Sequence, residues 1–427
     1  MHADNGKSRE LTLSLLRELL TEDATRAIGV RLWDGTCFPD DAARPATIVL
    51  NHPGALRSLL LPGSEVGMAE AYLYNDCDIE GNLEALFELE HLVEAKPISA
   101  IGKVRAAGQL LKLPPGPGRP ATRRGPAALR GKRHSVARDR AAVTYHYDVS
   151  NDFYSLWLDR RMVYSCGYFL SPDDTLDAAQ ERKLDYLCRK MRLKPGQRLL
   201  DIGCGWGGLV LYAAERYGVD ATGITVSQPQ VDFATERIRD AGLADRCRVL
   251  LRDYRELEER GAYDAVVSVG MFEHVGEELL GRYFREAMEL LRPGGVFLNH
   301  GIATVAGARK DGQPSFVEAY VFPDGELTPI STTLREAELA GFEVRDVESL
   351  REHYRLTLQH WVRRLEEQHD RALQYVDEPT YRVWRLYMSG AAYGFRVGRD
   401  NVYQALLVRR HADGRSGLPL TRADWYA

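Results

Sequence analysis

The chain has 427 residues, of which 44% are hydrophobic and 27% charged, and carries a formal net charge of −5. Its length exceeds one ordinary domain and its composition is that of a globular protein, so two folded units are expected rather than a fibrous, disordered or disulfide-stapled chain. The mildly acidic balance excludes a global field drawing the protein to nucleic acid, and no run approaches the roughly 18 apolar residues of a membrane-spanning helix.

Cys37, Cys77, Cys166, Cys188, Cys204 and Cys247 are scattered without the close pairs of a zinc site, so no metal is expected and a reducing cytoplasm is the expected compartment. Nothing at the N-terminus resembles a cleavable signal. Any membrane contact is therefore expected to be peripheral.

In chain order, residues 7–27 form a first helix with a leucine-rich face that belongs to a core. Short β-prone runs follow, including Ile28 to Trp33 and Thr47 to Leu50, and then a helical stretch from Leu83 to Leu92. Residues 1–110 thus read as a small mixed α/β domain. Residues 111–140 read as a linker: Leu113 to Pro120 is rich in proline and glycine, and eleven basic residues between Lys103 and Arg140 face the single acid Asp139. Such a segment is either a solvated tether or an arm for anionic lipid.

From 141 to 427, apolar strands alternate with amphipathic helices. Strands are expected at Arg198 to Ile202, Ala221 to Thr225, Cys247 to Leu251, Tyr263 to Val269, Gly295 to His300, Phe342 to Val347 and Val402 to Val408. This alternation predicts a doubly wound, mostly parallel α/β sheet, in which ligands bind outside the carboxyl ends of the strands. Thr225, Asp253, Glu273 and His300 fall at or just after such ends and should converge on one crevice.

The most informative stretch is Leu199 to Gly208, where an apolar strand ends in Asp201 and then in glycines at 203, 205 and 207. Without a Cβ these glycines can take positive φ and let a ligand approach the backbone, and the next helix offers its unpaired N–H groups. The spacing also satisfies a dinucleotide fingerprint, but such a site wants an acid at the end of the second strand to hold a ribose hydroxyl. Neutral Thr225 and Gln230 stand there. Asp201 suits the cationic amino group of a methionine moiety, so S-adenosylmethionine (SAM) fits better than a nicotinamide dinucleotide.

Four further segments have the look of a site: His146 to Tyr154, Tyr164 to Phe169 around Cys166, Phe272 to Gly276 around Glu273, and Asn299 to Ile302 together with His353-Tyr354. Taken singly, each reads as a capped helix, a buried thiol or a structural histidine. Gathered at strand ends, they become a site hypothesis.

From about Tyr145 to Arg410 the chain resembles the cyclopropane fatty acid synthase family, SAM-dependent methyltransferases acting on lipid alkenes. The matching motifs are His146 to Tyr154, Tyr164 to Phe169, Leu199 to Gly207, Thr225 to Gln230, Glu273 to Gly276, His300 to Ile302, and His353-Tyr354 with Thr357-Leu358. Gly67 to Glu80 is similar to a segment of the N-terminal lipid-handling domain in the longer members. The resemblance implies a seven-stranded class I SAM methyltransferase sheet. It assigns Tyr164, Ser165, Asp201, Gly203, Gly205, Gly207, Thr225, Gln230 and Tyr254 to SAM. It assigns Cys166, Glu273, His300, Tyr354 and the backbone of Ile302 to a bound bicarbonate that would accept a proton as the ring closes. It also implies unsaturated phospholipid acyl chains as substrate, a homodimer, and attachment to the inner face of the membrane. Tyr147, Phe153, Tyr168, Phe169, Tyr393 and Phe395 are candidates for lining an acyl channel.

The chain departs from the family pattern in three places. Leu356 stands where a basic residue is usual, Ala69 replaces a glycine, and Asn75-Asp76-Cys77-Asp78 replaces an Asp-Gly pair. A methylene-branched product, a nicotinamide oxidoreductase and a non-catalytic lipid-binding protein are the competing readings.

Overall fold

A computed structural model describes residues 2–89, 100–119, 125–147, 149–308, 312 and 314–426. The C-terminal end of the helix expected over Leu83 to Leu92, Arg123, Arg124 and Asp148 lie outside the described residues. The chain divides into two units. The first comprises residues 1–126, 312–321 and 369–393, and the second comprises 127–311, 322–368 and 394–427.

The first unit holds four strands, β1 (Ile28–Arg31), β2 (Cys37–Phe38), β3 (Ala46–Leu50) and β4 (Cys77–Gly81), in the order β2-β1-β3-β4. The Pro/Gly stretch expected to be a linker is docked on this unit. Arg57 donates to the Leu113 carbonyl at 2.9 Å, and the Arg119 guanidinium pairs with Glu70. Gly116 sits so close to His52, Ser58 and Asp76 that a Cβ there would lie 2.7 Å from the Ser58 hydroxyl. Residues far along the chain complete the unit. Arg382 donates to the carbonyls of Tyr72 (2.9 Å) and Cys77 (3.3 Å), and Arg385 to the Tyr72 hydroxyl (3.0 Å) and the Ile79 carbonyl (3.2 Å). Asn75, at the Asp-Gly departure, takes φ +65°, a conformation asparagine tolerates better than most residues.

The second unit is built on seven strands: β5 (Arg198–Ile202), β6 (Asp220–Thr225), β7 (Cys247–Leu251), β8 (Tyr263–Val269), β9 (Leu291–Thr304), β10 (Glu343–Ser349) and β11 (Asp400–Val408). Their order is β10-β11-β9-β8-β5-β6-β7. Pairing is parallel from β9 through β7, and β11 runs antiparallel to both its neighbours.

Helices cover both faces, so each central strand reads as a nearly continuous apolar run. Alternate residues enter opposite cores. Leu199, Val267 and Leu298 face the cluster that contains Val210 and Ala213, while Leu200, Val266 and Phe297 face the one that contains Phe284 and Phe342. Full burial of each such side chain contributes roughly 1.5–3 kcal/mol.

Two expectations are corrected here. Residues 127–140 belong to the second unit and lead into the helix Val136–Tyr147. Two of its charges find partners on the same unit: Arg138 pairs with Asp324, and Asp139 with Arg255 at 3.0 Å. The composition suggested a tether because those partners lie over a hundred residues further along. Strand β9 does not end at His300 but continues to Thr304, because β11 pairs with it up to Asp400 opposite Thr304. His300 therefore lies within a strand, opposite Val269, the last residue of β8.

Candidate active site

Strand β5 has β6 on one side and β8 on the other, and the chain leaves it by opposite routes, which opens a crevice at its carboxyl end. Gly203 (φ +81°), Gly205 (+55°) and Gly207 (+77°) turn the chain there into the helix Gly208–Tyr217. A Cβ on Gly203 would meet Met271 at 2.7 Å, and one on Gly207 would meet Ala234 at 3.0 Å, whereas Gly205 faces open space. Thus Gly203 and Gly207 shape the turn and Gly205 keeps it open.

A cavity of about 150 Å³ lies over this turn. Tyr164, Ser165, Asp201, Gly203, Gly205, Thr225, Gln230 and Tyr254 all line it, so the structure brings together every residue of the expected cofactor set except Gly207, which lies beneath. Asp139, Arg140, Val143 and Tyr147 of the helix Val136–Tyr147 line it as well.

The polar groups in the cavity carry the signature of a ligand that is cationic at one end. Asp201 is buried and its Oδ1 has no protein partner. Burial pushes its carboxyl up to about 7, opposed by the positive charge of Lys183. Thr225 donates from its hydroxyl to Gln230 Oε1 at 2.6 Å, which leaves Gln230 Nε2 as an unmatched donor. These groups fit the amino and ribose ends of SAM. Arg255 is committed elsewhere: it grips Asp253 through two bonds of 2.8 and 2.7 Å and also donates to the His134 carbonyl at 3.1 Å.

The sequence reading missed Lys183. It lies on the helix Leu176–Lys190, only 1% exposed, and its Nζ donates to Ser165 Oγ at 2.7 Å. Gln180, one turn earlier, donates to the Ser165 carbonyl at 2.7 Å. Burial lowers the Lys183 ammonium to about 8, against the pull of Cys166, Asp159 and Asp201. The available signal was a lysine at a core position among Leu176, Ala179, Leu184 and Leu187, a placement rare without a purpose.

Two further polar side chains are buried at β9 and the turn that follows β8. Glu273 follows β8 in a short 3-10 turn, Phe272–His274, and its Oε1 accepts from the Ile302 backbone N–H at 2.8 Å. Its Oε2 has no protein partner, and burial pushes the carboxyl up to about 7. The Phe272 ring occupies the place where a Cβ of Gly301 would be, which seats this turn against β9. His300 is buried, with Nε2 unpartnered, and burial with the nearby charges of Lys183 and Lys190 holds its pKa well below the ordinary histidine value.

Cys166 adjoins Ser165 and is fully buried, its Sγ 3.2 Å from the Gly167 carbonyl and 3.8 Å from that of Leu350. Burial raises its thiol, so it is a neutral weak donor. Tyr354 sits on the helix Arg351–Glu367, and Trp361 contacts both it and Tyr164, with ring centroids 6.0 and 5.1 Å away.

The aromatic candidates divide. Tyr147 lines the cavity, and Phe395 packs tilted against Tyr354, ring centroids 4.8 Å apart. Phe153 is core, packed on Trp157, and Tyr168 stacks on His353, whose Nδ1 accepts from the Phe169 N–H at 3.0 Å. Tyr393 belongs to the first unit, stacked on Phe87. Nothing in the structure explains Leu356.

A parallel sheet with one reversed strand, a glycine turn at the end of its first central strand and a pocket with a buried unpartnered acid define a class I SAM-dependent methyltransferase. The chain belongs to the mycolic acid cyclopropane synthetase family, whose sequence model matches residues 134–405. It is 41% identical over 404 residues to the "Probable fatty acid methyltransferase" of Pseudomonas putida, covering 93% of this chain and 95% of that one. It is 36% identical over 270 residues to the cyclopropane-fatty-acyl-phospholipid synthase of Escherichia coli K12, covering 63% and 68% respectively. The crystal structure of mycolic acid cyclopropane synthase CmaA1 complexed with SAH and CTAB superposes with a TM-score of 0.60 at 35% identity, over 63% of this chain and 97% of that one.

Proposed function

We propose that the protein transfers a methyl group from SAM to the double bond of an unsaturated acyl chain of a membrane phospholipid and closes it into a cyclopropane, with a bicarbonate ion as the proton acceptor. The observation that carries this reading is that Glu273 Oε2 and His300 Nε2 are both buried and without a protein partner. Unmatched buried polar groups are costly, and two of them, joined through the Glu273 bond to Ile302 two residues along β9 from His300, suit a small polar ion.

An alkene is a weak nucleophile, and SAM supplies an electrophilic methyl strong enough for it. Tyr164, Ser165, Asp201, Thr225, Gln230 and Tyr254 would hold SAM, with Asp201 meeting its ammonium. Cys166, Glu273, His300, Tyr354 and the Ile302 backbone would hold bicarbonate, which supplies a base able to take the methyl proton as the second carbon–carbon bond forms. His300, kept neutral by burial, brings no positive charge to repel a developing carbocation. Tyr147 and its aromatic neighbours exclude water and present negative ring faces to that cation. Among the described residues no helix is long and apolar enough to cross a membrane, so the lipid would be met at the membrane surface, a site we place at the inner face and, by the family's habit, served by a homodimer.

The name of the Pseudomonas putida relative, matched along nearly the whole chain, supports a second outcome. A 1,2-hydride shift would move the positive charge onto the methylated carbon, and loss of a methyl proton to the bound base would then leave a methylene branch on the open chain. Incubation with methyl-labelled SAM and vesicles of unsaturated phospholipid, followed by ozonolysis and mass spectrometry of the labelled chain, separates the two. Label in an ozone-resistant chain supports the ring, and an ozone-sensitive labelled chain supports the branch. Absence of label from every acyl chain refutes both.

A further inference from the structure

His300 on β9 and Gln404 on β11 are direct partners in the strand register. Both are buried, at 2% and 0% exposure, and Gln404 Nε2 stands 3.2 Å from His300 Nδ1. With its Nε2 toward the ring and its Oε1 left without a partner, the Gln404 amide donates and Nδ1 offers its lone pair. In a neutral imidazole the proton then resides on Nε2, the atom that points away from Gln404 and has no protein partner. We propose that Gln404 is a positioning residue that locks His300 in the Nε2–H tautomer, making His300 a hydrogen-bond donor to the anion of the reaction and not the base.

The surroundings explain why an amide serves here. Glu348 lies opposite Gln404 on β10, so His300, Gln404 and Glu348 form one row across three strands. A carboxylate next to His300 would draw a proton to Nδ1 and favour the imidazolium. Glu348 is kept from doing so: it accepts from the Lys190 ammonium and from the Tyr186 hydroxyl at 3.0 Å, and Gln404 separates it from the ring. Neutral Gln404 therefore transmits orientation without transmitting charge. The consequence for the chemistry is that the proton released at ring closure goes to the bound anion, because the only free nitrogen of His300 already carries one.

This assignment rests on the bicarbonate reading for its function, though not for its geometry. The test uses the full-length protein labelled with [15N]histidine, with long-range 1H–15N correlation spectra and the His300 signals identified by their loss in His300→Gln. The wild-type protein should show a protonated, pyrrole-type Nε2 and a pyridine-type Nδ1 for His300, unchanged from about pH 6 to about pH 8. Gln404→Glu should move the proton to Nδ1 or charge the ring. Gln404→Leu should mix the tautomers and, because only the Nε2–H form donates to the anion, raise the bicarbonate concentration for half-maximal turnover by the reciprocal of the fraction left in that form, about twofold at an equal mixture, while S-adenosylhomocysteine affinity by calorimetry is unchanged.

A wild-type His300 protonated on Nδ1, or charged, overturns the proposal even if neither variant folds. So does a Gln404→Leu protein whose tautomer and bicarbonate dependence match the wild type. A wild-type enzyme indifferent to bicarbonate but with His300 in the Nε2–H form removes the anion reading and upholds the tautomer assignment.

Discussion

Gly301 is conformationally ordinary and sterically essential, so Gly301→Ala isolates the seating of Glu273. The residue lies within β9 and its φ is outside the left-handed region, so alanine brings no backbone strain. Its new methyl, however, would overlap Cδ1 and Cε1 of the Phe272 ring and lie 3.2 Å from Cζ. The ring must retreat by an ångström or more, and Phe272 is joined directly to Glu273, whose Oε1 holds the Ile302 N–H at 2.8 Å. Overpacking of this kind costs about 1–3 kcal/mol, and freeing a buried carboxylate from its donor costs about 1–3 kcal/mol more.

We expect an unfolding free energy lower by roughly 2–6 kcal/mol in the second unit. Methyl transfer should fall by two orders of magnitude or more, while S-adenosylhomocysteine binding persists, because Phe272 and Gly301 do not line the cofactor cavity. Denaturant unfolding, calorimetric titration and the labelled-SAM assay read the three quantities. A Gly301→Ala protein with wild-type stability and turnover would refute the reasoning.

Other expectations concern the buried charges. Glu273→Gln keeps the shape and should leave S-adenosylhomocysteine affinity within about threefold while reducing turnover at least about a hundredfold, as for other preorganised transition-state contacts. Asp201 has a folded pKa near 7, above its unfolded value near 3.8, so the free protein holds a proton there that the unfolded chain releases. Its contribution therefore lowers stability as pH rises between those values, and Asp201→Asn should flatten the pH dependence of the unfolding midpoint between about pH 5 and about pH 7. The same variant should weaken SAM binding most above pH 7, where the wild-type carboxylate is charged. Lys183→Met removes the donor to Ser165 and the counter-charge to Asp201, so it should weaken cofactor binding about tenfold or more by titration.

Strands were legible because β5, β6, β8 and β9 are apolar on both faces, and the glycine turn because three glycines at alternate positions need positive φ. Asp201, the glycine loop, Thr225 and Gln230 were legible because they lie at or just after strand ends, whereas Tyr164, Ser165 and Tyr254 came only from the family resemblance. What stayed hidden was long-range pairing. Nothing local says that Asp139 meets Arg255, that Arg382 returns to the Cys77 carbonyl, or that Gln404 faces His300. The basic segment misled for the same reason: its acid partners Glu70 and Asp324 lie far from it in sequence, so composition showed charges without their matches. Lys183 was overlooked because the helix bearing it has no motif, only an out-of-place charge.

The first unit is assembled from three separate stretches of chain, the last of which ends at residue 393. During synthesis, the carbonyls of Tyr72, Cys77 and Ile79 must wait for Arg382 and Arg385 until more than three hundred further residues have emerged. A ribosome releasing this protein therefore cannot finish the amino-terminal piece first and move on. An excised fragment ending near residue 126 would carry acceptors whose arginines it lacks, and protease or gene-fusion strategies that treat that piece as a detachable module should yield an aggregating product.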